Sequence, residues 1–339
     1  MRRSALAAVA ALVALGLTIA AGPGVVAAQA AGRARTAAAT PITRLSGADR
    51  IATAVAISQN LFAAGTAGAV VLARSDGFAD ALAGTPLAAG FMAPILLTPP
   101  AALDARTSAE MQRALGGPGK TVYLLGGTSA LSAGIETAVQ ALGYATVRFA
   151  GADRFATAAA IAASHELGSP STVLVTTGDD FPDSLCAGAA TAGAGPSAIL
   201  LTDGSTVPAS TAAYLAGHPG ATIYAIGGKA AAAGIAGAVP IVGADRYDTC
   251  VKVAQKFFPN PTGVAVASGE VFPDGLAGGA HAANSANGFP LLLVAPNAVP
   301  SSVLSWLTAN KATLTRGYVY GGPSTVTDAT VSALQSALS

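Results

Sequence analysis

The segment Gly47-Ala48-Asp49-Arg50-Ile51-Ala52-Thr53-Ala54 decides how the chain is read, because it is written three times. It returns as Gly151-Ala152-Asp153-Arg154-Phe155-Ala156-Thr157-Ala158 and again as Gly243-Ala244-Asp245-Arg246-Tyr247-Asp248-Thr249-Cys250. The copies are 104 and 92 residues apart. That is too far for a solenoid unit and about the size of a small domain. After the first copy, Ile51, Ala54, Val55, Ile57, Ser58 and Leu61 recur at helical spacing. Asp49, Asp153 and Asp245 are therefore N-cap candidates. The arginine one step on lies at the positive end of a helix dipole, where a cation is disfavoured. Local propensity does not explain why it is kept three times.

About 30 residues further on, a second phrase recurs: Phe78-Ala79-Asp80-Ala81-Leu82, Phe181-Pro182-Asp183-Ser184-Leu185 and Phe272-Pro273-Asp274-Gly275-Leu276. Proline suits the first turn of a helix, and an aspartate beside it suits the dipole. Capping alone accounts for these residue types, with ligand contact as the alternative. Arg50, Arg154 and Arg246 either pair with Asp80, Asp183 and Asp274, within a repeat or between repeats, or face an anionic ligand. The forked guanidinium donors suit a partly buried carboxylate.

Between the phrases lie short apolar runs of strand length: Ile42–Leu45, Val70–Ala73, Pro94–Thr98 and Thr121–Leu125 in the first repeat, with helices over about 79–90, 107–115 and 132–142. Repeat two has Val173–Thr176, Ile199–Thr202 and Ile223–Ile226; repeat three has Val264–Ala267, Leu291–Val294 and Tyr318–Tyr320. Continuously apolar strands alternating with helices indicate parallel sheets covered on both faces. The expected fold is α/β: three tandem Rossmann-like or flavodoxin-like three-layer modules, packed as a pseudo-threefold trimer within one monomeric chain. The expected division is a signal peptide at 1–30, a linker at 31–41, and repeats at 42–146, 147–239 and 240–339.

Arg2 and Arg3, the uncharged run Ala5–Ala21 and Ala28-Gln29-Ala30 have the layout of a secretory signal with a cleavage site. No second stretch is long and apolar enough to cross a bilayer, so a secreted chain is expected, without a transmembrane segment after cleavage. Lys and Arg number 18 against 17 Asp and Glu, and losing Arg2 and Arg3 turns a formal charge of +1 into −1. That balance argues against a generic nucleic-acid binder. Cys186 and Cys250 lie in different repeats and are either a disulfide between them or two buried thiols.

Signs of catalysis are thin. His165, His218 and His281 show no paired metal-ligand spacing, and there is no CxxC motif and no GxSxG elbow. No metal and no cofactor is expected. Gly126-Gly127, Gly227-Gly228 and Gly321-Gly322 follow strands but do not extend to GxGxxG, so they read as tight turns rather than phosphate loops. Every notable feature is repeated, whereas an active site is normally unique.

Taken in order, RLSGADRIATA (44–54), SDGFADALAGTPLAA (75–89), APILLT (93–98) and VYLLGGTSALS (122–132), with their later copies, resemble the bacterial cell wall binding repeat 2 family. The resemblance covers about residues 42–339. It implies a surface protein whose three modules form a pseudo-trimer anchored non-covalently to the cell wall, through an anionic polysaccharide or peptidoglycan. It leaves no stretch for a separate catalytic domain, so a non-catalytic wall-binding protein is expected. A wall hydrolase of amidase type and an extracellular protein-interaction module are the alternatives. Repeat one departs from the pattern with Ala79 in place of proline, and repeat three with Val294 where Thr98 and Thr202 stand.

Overall fold

The computed structural model describes residues 40–339; the expected signal peptide and all but the end of the expected linker lie outside them. The first repeat runs β1 (Ile42–Leu45), α1 (Arg50–Leu61), β2 (Ala69–Arg74), α2 (Thr85–Gly90), β3 (Ile95–Thr98), α3 (Ala105–Leu115), β4 (Thr121–Leu125) and α4 (Ala133–Ala141). The second runs β5 (Ala145–Phe149), α5 (Arg154–Ala162), β6 (Thr172–Thr177), α6 (Pro182–Ala194), β7 (Ser197–Thr202), α7 (Ala209–Gly217), β8 (Thr222–Ile226) and α8 (Gly228–Ala232). The third runs β9 (Val239–Ile241), α9 (Arg246–Phe257), β10 (Gly263–Ser268), α10 (Pro273–Asn284), β11 (Leu291–Val294), α11 (Ser301–Asn310), β12 (Arg316–Tyr320) and α12 (Asp328–Ala337).

These strands form three four-stranded sheets, ordered β3-β2-β4-β5, β7-β6-β8-β9 and β11-β10-β12-β1, in which every pairing is parallel. Among their central strands β6 and β10 are buried along their whole length and β2 everywhere but Arg74, which explains their continuous apolar runs. The edge strands are exchanged. Each sheet takes its last strand from the repeat that follows, and the third takes β1, with Ile42 opposite Gly317 and Leu45 opposite Tyr320. No repeat completes its own sheet. β5 spans the expected division at 146, and sequence reading did not recognise it or β9 as a strand. The reason is visible in their burial. β5 (ATVRF) buries only Phe149 fully, and β9 (VPI) buries only Ile241, so neither carries a full apolar signature.

Helices begin where the chain supplies caps. Asp49, Asp153 and Asp245 occupy the N-cap positions of α1, α5 and α9 and accept from the backbone N–H of Ala52, Ala156 and Asp248. Pro182 and Pro273 open α6 and α10, whereas in repeat one the stretch 79–83 forms turns and the helix starts only at Thr85. Without a proline to preset φ, the first turn of the longer expected helix is lost.

The largest core cluster gathers residues from all three repeats around α2, α6 and α10. The alanine and glycine richness serves this contact: a Cβ on Gly188 would press on Thr85, and one on Gly275 would press on Leu185. Small side chains let the helices approach closely.

Candidate functional site

The repeated phrases converge where one repeat meets the next. Phe78, Phe181 and Phe272 meet ring to ring, with centroids 5.7, 5.6 and 6.2 Å apart. Sequence reading quoted these phenylalanines but gave them no role. Their recurrence was the available signal, and only the packing of three distant segments shows that they touch.

The arginines surround this cluster. Arg50 Nη1 donates to the Ser75 carbonyl and Arg246 Nη1 to that of Gly269, both at 2.7 Å, and Arg154 Nη1 donates to Gly178 O. Each acceptor lies just beyond the first central strand of the arginine's own sheet. Two of the guanidinium groups also cover an aromatic ring of another repeat, Arg50 over Phe272 and Arg154 over Phe78, both at 5.8 Å. The third reaches an acid instead, with Arg246 Nη2 3.3 Å from Asp180 Oδ2. Among the described residues no ion pair joins Arg50, Arg154 or Arg246 to Asp80, Asp183 or Asp274.

The aspartates sit deeper. Each lies against the first glycine of its own repeat's Gly-Gly turn: a Cβ on Gly126, Gly227 or Gly321 would collide with Asp80, Asp183 or Asp274. Those glycines have φ of +99°, +89° and +102°, so both conformation and space require glycine. Their amides are already used, donating to Phe149 O, Ile241 O and Leu45 O at the ends of the exchanged strands. The turns thus lock the edge strands in place rather than offering these amides to a phosphate.

Two crevices open between repeats. One, of about 160 Å³, is lined by Asp49, Arg50 and Thr53 of repeat one and by Asp274 and Thr325 of repeat three. The other, of about 290 Å³, brings Asp245, Arg246 and Thr249 of repeat three onto Asp180, Asp183 and Lys229 of repeat two. Burial pushes Asp274 above the ordinary carboxylate range, against hydrogen bonds from Thr325 and Thr53 and the nearby Arg50. Burial raises Asp183 to about 6 with help from the Asp180 charge, and Arg246 and Lys229 only partly counter this. Lys229 itself holds Asp179 at 3.1 Å. No histidine lines either crevice. Among the described residues no group of three or more His, Cys, Asp or Glu could hold a metal ion.

Sequence reading also passed over the threonine of the first phrase. Thr53, Thr157 and Thr249 are buried, and their hydroxyls accept from the N–H of Gly47, Gly151 and Gly243 at 3.0, 3.1 and 3.1 Å. Each bond folds the loop that carries the arginine. Thr157→Val keeps the shape and leaves the Gly151 N–H unpaired, so unfolding free energy should fall by about 1–2 kcal/mol. Urea denaturation measures it, and an unchanged midpoint would mean that the loop amide has another partner.

The profile of cell wall binding domain 2 (CWB2) matches residues 44–136, 148–233 and 241–331. The chain belongs to this family. Among solved structures, the CWB2 chain is similar to Cwp8 from Clostridium difficile, with a TM-score of 0.77 and 26% identity over 88% of this chain and 51% of that one. It is also similar to Cwp6 from Clostridium difficile, with a TM-score of 0.74 and 25% identity over 89% and 48%. Among curated proteins, it is 27% identical over 249 residues to the N-acetylmuramoyl-L-alanine amidase LytC of Bacillus subtilis (strain 168), covering 71% of this chain and 48% of the relative. The chain spans about half the length of each of these relatives. Cys186 of α6 and Cys250 of α9 face each other across two repeats of the CWB2 array. Their Cα atoms are 5.5 Å apart and their sulfurs are joined.

Proposed function

We propose that the protein is secreted and acts as a non-catalytic cell-wall anchor. It is held non-covalently on an anionic wall polymer or peptidoglycan by the arginines at the junctions between its repeats. The observation that carries this reading is the placement of Arg50 and Arg154. Each commits one nitrogen to a carbonyl, rests on another repeat's phenylalanine and has no ion pair among the described residues. The remaining guanidinium donors suit a phosphate or carboxylate in bidentate fashion. The recurring contacts among the three phenylalanines support a pseudo-threefold unit in a monomer, with 42–146, 147–239 and 240–339 as its repeats. No described helix is long and apolar enough to cross a membrane.

Sedimentation with native walls, and with walls stripped of secondary polymers, tests the proposal. The protein should pellet with the first and stay largely soluble with the second. Equal pelleting with both would overturn the polymer reading, and none with either would overturn wall binding. Arg50→Ala and Arg154→Ala should each weaken pelleting roughly tenfold, the worth of one charge-assisted hydrogen bond. The similarity to an amidase favours a wall hydrolase as the second reading. A zymogram on peptidoglycan separates the two, and no clearing is expected.

A further inference from the structure

In each repeat the first and third helices lie side by side: α1 with α3, α5 with α7 and α9 with α11. Twelve residues beyond Thr98, Thr202 and Val294, the third helices carry Glu110, Tyr214 and Trp306. Ten residues beyond the capping aspartate, the first helices of repeats one and three carry Gln59 and Gln255. In repeat one these positions satisfy each other. Gln59 Nε2 donates to Glu110 Oε2 at 3.1 Å, and Ser58 and Arg113 donate to the same carboxylate. In repeat three the same positions are left open. Trp306 has no carboxylate to offer Gln255, and the two line a groove of about 500 Å³ between α9 and α11.

Trp306 is the chain's only tryptophan and is 4% exposed. Its body packs in a core cluster of repeat three with Val251. Its indole N–H makes no hydrogen bond among the described residues, yet it is not sealed from solvent. What little of Trp306 is open therefore faces the groove that it lines. A tryptophan buried to this depth normally has a partner for that N–H. The rest of the lining sets the kind of partner. No lysine, arginine or histidine lines the groove. Its single carboxylate, Asp248, is already held by the Ala244 N–H at 2.9 Å and by Lys252 at 3.4 Å. Ser302, Ser305 and the Gln255 amide can each donate and accept. Asn310 spends Nδ2 on Trp306 O at 2.8 Å, which leaves its Oδ1 to accept. Phe258 adds apolar surface.

The groove therefore offers one recessed neutral donor, an apolar wall and a rim of uncharged groups. A phosphate or carboxylate would find no cation there, and an ammonium no free anion. A carbonyl with a methyl beside it fits the recess, and hydroxyl groups fit the rim. We propose that this groove binds an N-acetylated amino sugar of a polysaccharide, the acetamido oxygen accepting from Trp306 Nε1–H and the ring hydroxyls bonding Gln255 and the two serines. The glycan strands of peptidoglycan are the source this assigns. That source rests on the wall-binding reading, while the site itself rests on the groove alone. The arginine junctions suit an anion and the groove a neutral sugar, so the two differ in place and in chemistry.

Because Trp306 is the only tryptophan, its fluorescence reads the site directly. The full chain is titrated with N,N′,N″-triacetylchitotriose, with its deacetylated counterpart, cellotriose and N-acetylalanine amide as controls. The acetylated trimer should shift the emission saturably. Each control should bind at least tenfold more weakly, the two sugars for want of the acetyl group and the amide for want of hydroxyls. Trp306→Phe keeps an aromatic body and removes the N–H. Checked for folding by circular dichroism and read by calorimetry, it should bind about tenfold more weakly, the worth of one hydrogen bond. Gln255→Ala, at an exposed position, should weaken binding as well. Arg50→Ala should leave it unchanged. Emission unmoved by the acetylated trimer overturns the proposal even where wall sedimentation succeeds. Equal binding of cellotriose or of the deacetylated trimer overturns the acetamido contact, and equal binding of N-acetylalanine amide overturns the sugar in favour of a peptide. Trp306→Phe binding as tightly as the parent overturns the assigned donor. Peptide-free glycan strands should bind at least as tightly as the trimer, and their failure to bind overturns the wall source.

Discussion

Reducing the Cys186–Cys250 bridge is expected to lower the unfolding free energy by about 4 kcal/mol. The two cysteines are 64 residues apart in sequence. In the chain-entropy account, a cross-link closing a loop of that length removes about 4 kcal/mol of conformational freedom from the unfolded chain. Both side chains are buried, and the bond ties the central helix of repeat two to the first helix of repeat three. The sequence-equivalent positions are Ala83 and Ala158 between repeats one and two, and Ala277 and Ala54 between repeats three and one. The fold therefore packs α10 on α1 without a bond, while Ala83 lies in the turns that precede α2. The double variant Cys186→Ala with Cys250→Ala should lose stability yet keep the native circular dichroism. Urea denaturation with and without reductant measures the effect. A reductant-independent midpoint, or two titratable thiols in the unfolded, unreduced protein, would refute it.

The second large effect concerns pH. His281 of α10 is buried, with Tyr320 O–H donating to Nδ1 at 2.8 Å and Nε2–H donating to Asn60 Oδ1 at 3.0 Å. Both nitrogens of the neutral ring are satisfied, and burial lowers its pKa from 6.5 to about 4. A depressed histidine pKa means that the unfolded chain takes up the proton first. Its stabilising contribution is present above pH 6.5 and is lost as pH falls toward 4, by about 3 kcal/mol in all. Asp183 acts in the opposite sense. Its pKa rises from 3.8 to about 6, so its contribution is full below 3.8 and is lost as pH rises through 6, again by about 3 kcal/mol. Asp274 shifts in the same direction as Asp183. Between pH 4 and 6 the histidine and the carboxylates therefore offset each other, and single substitutions should uncover the separate slopes. Asp183→Asn should make stability fall steeply on acidification. His281→Gln should instead make stability rise as pH falls from 6 to 4. Chemical denaturation at half-unit pH steps reads both slopes. Parallel curves for the two variants would mean that neither group titrates as its surroundings demand.

The amino-acid sequence alone determined what is written locally. Threefold recurrence, strand-length apolar runs and alternation with helices led to three parallel α/β modules. Those signals arise within a few residues, from side-chain period and from the reach of a side chain to its own helix's first amides. Even so, local reading overextended the helix at 79–90, where the absent proline and Gly84 leave turns, and it did not find β5 or β9, whose residues are mostly not buried.

Tertiary structure alone decided how the repeats are joined. The exchange of edge strands, the pairing of β1 with β12 and the meeting of three phenylalanines all link residues far apart in the chain. So do the placement of an arginine against another repeat and the joining of the two cysteines. Nothing in a local pattern says on which side of a crossover a segment will find its neighbour. That choice is made by close packing of the small-residue helices α2, α6 and α10. The Gly47-to-Ala54 phrase and its copies thus carry a legible helix start, while the partner of each arginine was left to the fold.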